Sequence, residues 1–148
     1  MIRVALYARV STKLSKLEMK KLEGEREREQ DPEVQLIPLR EHCKKEKYEI
    51  NQDLVYVDKG VSGRKFSRPQ FDRMMKDAML RKFNLLLVWK MDRLSRGSIG
   101  EVFDILKKFR NRGVEVQSIT EKFLNTDKDN PAGDLILSVL AWAANLES

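Results

Sequence analysis

Four short apolar runs, at residues 2–8, 53–57, 84–89 and 114–119, are spread along the chain with helical patterns between them. Most are continuous rather than alternating, as a strand covered on both faces requires. Between them, apolar side chains recur at three and four residues. One such segment carries Phe103, Ile105, Leu106 and Phe109, and another Phe71, Met74, Met75 and Met79. Ser98 and Glu101 make a capping box before the first of these, and Gly113 is a stop after it. Ser67 and Pro69 open the second. A last stripe, Leu135, Ile136, Val139, Leu140, Ala143 and Leu146, follows Asn130 and Pro131. This alternation predicts an α/β fold, a mostly parallel central sheet flanked by helices on both faces. In such sheets the functional crevice lies beyond the carboxyl ends of the strands.

The 148 residues suit one compact domain, and no internal repeat or Gly/Ser linker divides them. Residues 13–31 form a charge run with six basic and six acidic side chains; its charge cancels, which fits a solvated loop better than a phosphate-binding patch. Pro38 lies inside the following helical pattern, so that helix starts near Pro32 or kinks at Pro38. No apolar run approaches the length needed to span a bilayer, and the first residues lack the pattern of a secretory signal. A single cysteine, Cys43, cannot form an internal disulfide, which fits a cytoplasmic location. The net charge of +6 favours polyanionic partners without identifying one.

Several chemistries have no support. His42 is the sole histidine, and Cys43 beside it points elsewhere on a helix, so a Ser-His-Asp triad would rest on one surface histidine. There is no Cys/His set with zinc spacing, no clear carboxylate cluster for a metal and no glycine-rich nucleotide loop, so no cofactor is expected. What stands out is arginine at the predicted crevice. The first strand ends in Tyr7-Ala8-Arg9-Val10-Ser11-Thr12, and the third in Trp89-Lys90-Met91-Asp92-Arg93-Leu94-Ser95-Arg96. The loop after the second strand is expected to run from Asp58 to Arg68. Three strand ends thus bring Arg9, Arg68, Arg93, Arg96 and Lys90 towards one place, with a serine among them. Clustered guanidinium groups repel unless an anion neutralises them, and their planar forks match phosphate oxygens. They would stabilise the charge that develops when a serine attacks a phosphodiester.

These segments are familiar. Tyr7-Ala8-Arg9-Val10-Ser11-Thr12, Asp58-Lys59-Gly60-Val61-Ser62-Gly63, Arg68-Pro69-Gln70-Phe71 and Lys90-Met91-Asp92-Arg93-Leu94-Ser95-Arg96 resemble the resolvase/invertase family of serine site-specific recombinases. The resemblance runs from residue 2 to the end, with four motifs in order. It implies a resolvase-like catalytic domain in which Ser11 forms a covalent phosphoserine link to a DNA end. Arg9, Arg68, Arg93 and Arg96 match the family's catalytic arginines, Asp92 its acidic partner and Gln35 a glutamine of its site. Tyr7, Ser62 and Lys90 match supporting positions. Asp92 could orient Arg93 or Arg96, or help take the serine proton. The implied partners are double-stranded DNA and further copies of the chain, a homodimer that assembles to a tetramer on DNA, with no membrane.

Two departures carry expectations. The charged insert at 13–31 lengthens the loop after the nucleophile and could alter how Gln35 reaches the site. The chain also stops where family members continue into a long helix and a DNA-binding region. It is therefore expected to be a catalytic-domain fragment, residues 1–148, with weak DNA binding, compromised dimerisation and no recombination alone. The alternatives are an α/β enzyme acting on a small phosphoester and a noncatalytic domain of the same fold. Replacement of Ser11 separates them.

Overall fold

The computed structural model describes residues 2–11, 32–60, 68–94 and 99–121, together with Ser138, Val139, Trp142, Ala143 and Leu146 as helical positions. The four strands are β1 (Val4–Ser11), β2 (Ile50–Gly60), β3 (Leu85–Val88) and β4 (Glu115–Ser118). The helices are α1 (Pro32–Lys45), α2 (Pro69–Met79) and α3 (Ile99–Asn111), with a short 3-10 helix at Met91–Leu94. All strand pairs are parallel, in the order β2-β1-β3-β4.

The layering follows from the handedness of parallel crossovers. The chain steps one way from β1 to β2 and the other way from β2 to β3 and on to β4. Right-handed connections must then put α1 on one face, and α2 and α3 on the other. The core divides accordingly. Val4, Leu6 and Ala8 of β1 pack with Leu36, Leu39 and Cys43 of α1. Ala5 and Tyr7 point the other way, among Phe71, Met74, Ile105, Leu106 and Phe109. The period-two alternation of a strand makes this division of β1 between two cores.

Strand position explains where the expected patterns needed adjusting. Central β3 is buried at all four residues, while edge strand β4 alternates. Edge strand β2 is longer than its apolar run, because Asn51, Gln52 and Asp53 can face water there. It also extends forward to Gly60, so Asp58 belongs to the strand and not to the loop after it. On α3, Val102 is buried with Ile105, Leu106 and Phe109, while Phe103 is only partly covered. The helix ends as expected at Gly113, whose φ of 72° is the left-handed conformation that glycine adopts without strain. Helix α1 begins at Pro32 and continues through Pro38. Ser67, Ser98, the 13–31 run and half of the final stripe (Leu135, Ile136 and Leu140) lie outside the described residues.

Candidate active site at the carboxyl edge of the sheet

β1 is the pivot of the sheet, with β2 and β3 on either side of it, and it outruns β3. Its pairing with β3 ends at Tyr7–Val88, whereas its pairing with β2 continues through Arg9–Asp58 to Ser11–Gly60. Beyond Tyr7 the β3 side of β1 therefore lacks a strand partner. The Gln35 side chain, from α1 and 2% exposed, takes that place. Its Nε2 donates to the Arg9 carbonyl at 2.9 Å, and its Oε1 accepts from the Arg9 backbone N–H at 3.3 Å. One amide thus supplies both ladder partners that a strand would have given, which fixes the backbone two residues before Ser11.

The turn after β3 supplies the second anchor. Arg9 Nε donates to the Arg93 carbonyl at 3.2 Å, and Arg68 Nη1 donates to the Leu94 carbonyl at 3.0 Å. Both carbonyls belong to the final residues of the 3-10 helix, where peptide oxygens have no partner within the helix and carry partial negative charge. Arg9 and Arg68, from elements distant in sequence, therefore meet at one turn. Arg68 is buried to 7% exposure, with its guanidinium carbon 3.8 Å from the centre of the Phe71 ring. Its Nη2 donates to the Glu101 carboxylate.

A second carboxylate fixes where Arg68 emerges. Arg68 occupies the N-cap position of α2 but makes no side-chain capping bond. Asp58 of β2, the strand before the helix, caps it instead, accepting from the backbone N–H groups of Gln70 at 3.0 Å and Phe71 at 2.9 Å. It also accepts the Tyr7 hydroxyl proton at 2.9 Å. Burial, then the charge of Asp58 and the hydrogen bond to it, push the Tyr7 hydroxyl well above the usual tyrosine range; Arg68 and Arg9 oppose this. Tyr7 is thus a neutral donor at ordinary pH and no general base.

The structure accordingly brings together Tyr7, Arg9, Gln35, Arg68 and the backbone of residues 93–94, while Lys90 is exposed beside them. Ser11 and Asp92 have described backbones only, and Ser62 and Arg96 lie outside the described residues. Three residues were not singled out for this site from the sequence. In the sequence Asp58 belongs to a motif that gives it no role, and Glu101 reads only as half of a capping box. Glu121 carries no signal in the sequence; its Oε1 accepts from the Met91 N–H at 2.8 Å and from the Ser118 hydroxyl at 3.2 Å, so it holds the start of the 3-10 helix. A capping search restricted to neighbours in sequence cannot find Asp58 or Glu121, because each acts on a backbone group 12 or 30 positions away. Among the described residues, no three His, Cys, Asp or Glu side chains are grouped to hold a metal ion. None of their helices is long and apolar enough to cross a membrane.

The family model for the resolvase N-terminal domain matches residues 4–148. A resolvase of Clostridium perfringens strain 13 is 27% identical over 100 residues, covering 68% of this chain and 51% of the relative. A DNA-invertase of Escherichia phage P1 is 32% identical over 95 residues, 64% of this chain and 47% of the invertase. The chain thus spans about half the length of the curated relatives it matches. Among solved structures, the N-terminal catalytic domain of TP901-1 integrase superposes with a TM-score of 0.70 at 27% identity, over 97% of this chain and 95% of that one. A resolvase-family site-specific recombinase from Streptococcus pneumoniae gives 0.70 at 30% identity, over 99% and 88%. A match of the family model from the first strand to the last residue, with a superposable fold, leads to one conclusion: the chain belongs to the resolvase N-terminal domain family.

Proposed function

We propose that this domain carries out the chemical step of site-specific DNA recombination, with Ser11 as nucleophile. The observation that carries the reading is the meeting of Arg9 and Arg68 at the carbonyls of residues 93 and 94, beside the end of the strand that bears Ser11. In this reading the Ser11 oxygen attacks a DNA phosphorus. A phosphoserine ester forms, the bond to one strand oxygen breaks, and that oxygen takes a proton. Attack of the oxygen on the ester reverses the step and reseals a strand. Because the ester conserves the energy of the broken bond, rejoining needs no ATP.

Each residue has a distinct part in this reading. Arg9, Arg68, Arg93 and Arg96 stabilise charge on the nonbridging oxygens, and loss of one such donor costs about 2.7–4 kcal/mol in the barrier. Asp92 orients an arginine or assists the serine proton. Gln35 and Tyr7 position: the first holds the Arg9 backbone, and the second holds the carboxylate that caps α2. Ser62 and Lys90 support binding of the DNA backbone. The substrate is double-stranded DNA in the cytoplasm, bound by a homodimer that assembles to a tetramer. The C. perfringens resolvase and phage P1 DNA-invertase support this reading by kinship.

The test uses the protein that carries this domain, incubated with DNA from the ends of its own genetic element. After nuclease digestion, mass spectrometry of the peptide containing Ser11 is expected to find an attached nucleotide, lost in Ser11→Ala. DNA binding with no adduct under any condition would favour a noncatalytic role. Arg9→Lys is expected to lose about a hundredfold or more in cleavage rate, since a point charge does not reproduce the fork of guanidinium. Near-normal cleavage by that variant would remove Arg9 from the machinery.

A further inference from the structure

Arg68 already has an anion. Its guanidinium is enclosed by the Phe71 ring, the Leu94 carbonyl and the Glu101 carboxylate, and its side chain is only 8% exposed. The Glu101 side chain, in the first turn of α3, is 29% exposed, against 8% for Arg68. The contact occupies Nη2, which shares one edge of the guanidinium plane with Nε. That edge is the one that grips an oxyanion with two parallel hydrogen bonds. Glu101 does not satisfy this edge: Nε is buried, and among the described residues no acceptor makes a hydrogen bond to it. A buried charged donor without an acceptor is a costly arrangement, and a second oxygen at this edge would relieve it.

We propose that Glu101 is an internal surrogate for phosphate on Arg68, which keeps this arginine neutralised until a DNA phosphate displaces the carboxylate from the Nε/Nη2 edge. The inference rests on the reading of Arg68 as a phosphate ligand given above. Enclosure decides between sharing and displacement. Among the described residues, Phe71 lies against the face of Arg68, a carbonyl takes Nη1 and the carboxylate takes Nη2, so while Glu101 stays in place the Nε/Nη2 pair is not free to grip an anion with both donors. An incoming phosphate must therefore take the place of the carboxylate, which can turn towards solvent from the first turn of α3. Phosphate then satisfies Nη2 and Nε together. Glu101 thus sets the threshold for engaging Arg68: a weak or badly placed anion does not displace it, whereas a phosphate held by the rest of the site does.

The inference is tested on the 148-residue chain with inorganic sulfate, a tetrahedral dianion whose charge does not change near neutral pH. Binding is followed by thermal stabilisation and by the Arg68 Nε–H resonance. Glu101→Gln keeps the shape but removes the charge, and Glu101→Asp keeps the charge at the helix start but shortens the reach. Both are expected to bind sulfate more tightly than the unaltered chain, Glu101→Gln by about tenfold, the effect of one charge-assisted contact. The gain should disappear when Arg68→Ala is added. A residue that merely supports the fold would give weaker binding instead. Unchanged or weaker sulfate binding by folded Glu101→Gln and Glu101→Asp, with Arg68-dependent binding in the unaltered chain, overturns the surrogate role alone. Absence of Arg68-dependent binding in every variant overturns the phosphate reading and this inference with it. Should Glu101→Gln fail to fold, Glu101→Asp decides, together with the sulfate-induced shift of the Glu101 carboxyl carbon in the unaltered chain.

Discussion

Asp58 and Asp77 stand at the two ends of α2, both buried, and each accepts a hydrogen bond from a buried tyrosine, Tyr7 at 2.9 Å and Tyr56 at 2.7 Å. Their other partners differ. Asp58, at the end nearest the candidate site, takes two backbone N–H groups of the helix. Asp77, at the far end, is faced by the more exposed cations Arg73 at 3.8 Å and Lys82 at 3.5 Å. The first arrangement is directional and places the backbone beside Arg68. The second is a charge cluster that tolerates movement and weakens in salt. Buried carboxylates of similar appearance thus serve geometry at one end and charge balance at the other.

The largest effect expected from breaking this contrast is that of Asp58→Ala. It orphans two backbone donors and a buried hydroxyl, and should cost about 3 kcal/mol or more in urea unfolding. A loss under about 1 kcal/mol would show that α2 is capped in another way. Asp77→Ala should cost less, about 2 kcal/mol, chiefly from the stranded Tyr56 hydroxyl, because its two cations can return to water. Stability of the unaltered chain minus that of Asp77→Ala should shrink in salt, whereas the Asp58 difference should hardly change.

Alkali acts on both ends. Burial pushes the Tyr7 and Tyr56 hydroxyls above their ordinary range and the Cys43 thiol up to about 11. Each group is protonated in the fold at a pH where the unfolded chain has begun to ionise. The stability they contribute is therefore complete below about pH 8.5–9 and declines as pH rises towards the folded values. A loss of about 1–2 kcal/mol by pH 10 is expected in denaturant titrations. Constant stability from pH 8 to 11 would contradict the burial of all three. Tyr7→Phe comes next, at about 1 kcal/mol, since Asp58 keeps its two backbone donors. Smallest is Arg40→Ala, which removes a surface pair with Glu33 and should change stability by less than about 0.5 kcal/mol.

Legibility in the sequence followed the range over which each residue acts. Runs such as Leu85–Val88 and stripes such as Ile105, Leu106 and Phe109 announce themselves, because strand and helix periods are local. The stop at Gly113 is readable for the same reason. Arg9, Arg68 and Arg93 are legible as a group because a parallel sheet sends the ends of its strands to one edge. Less visible were the acidic residues that hold them. Glu101 has the spacing of a capping residue, but its Arg68 partner is 33 positions away. Asp58 caps a helix that starts beyond the following loop, and Glu121 reaches a backbone group 30 residues earlier. Gln35 was identified by resemblance; its action as a substitute strand depends on β3 ending before β1 does.

The alternation of elements, the parallel sheet and the edge at which arginines gather are all written in the pattern of the chain. Each follows from a periodicity of a few residues combined with a handedness that all such chains share. Which donor meets which acceptor depends instead on how the elements pack together. Arg68 lies against Glu101 rather than open to an incoming anion, and Asp58 serves a helix rather than a cation. Hydrogen bonds have a reach of about 3 Å, whereas crossovers bring together residues tens of positions apart. That pairing is set by the stagger of strand ends and the seating of helices on the sheet, which no short pattern in the chain encodes.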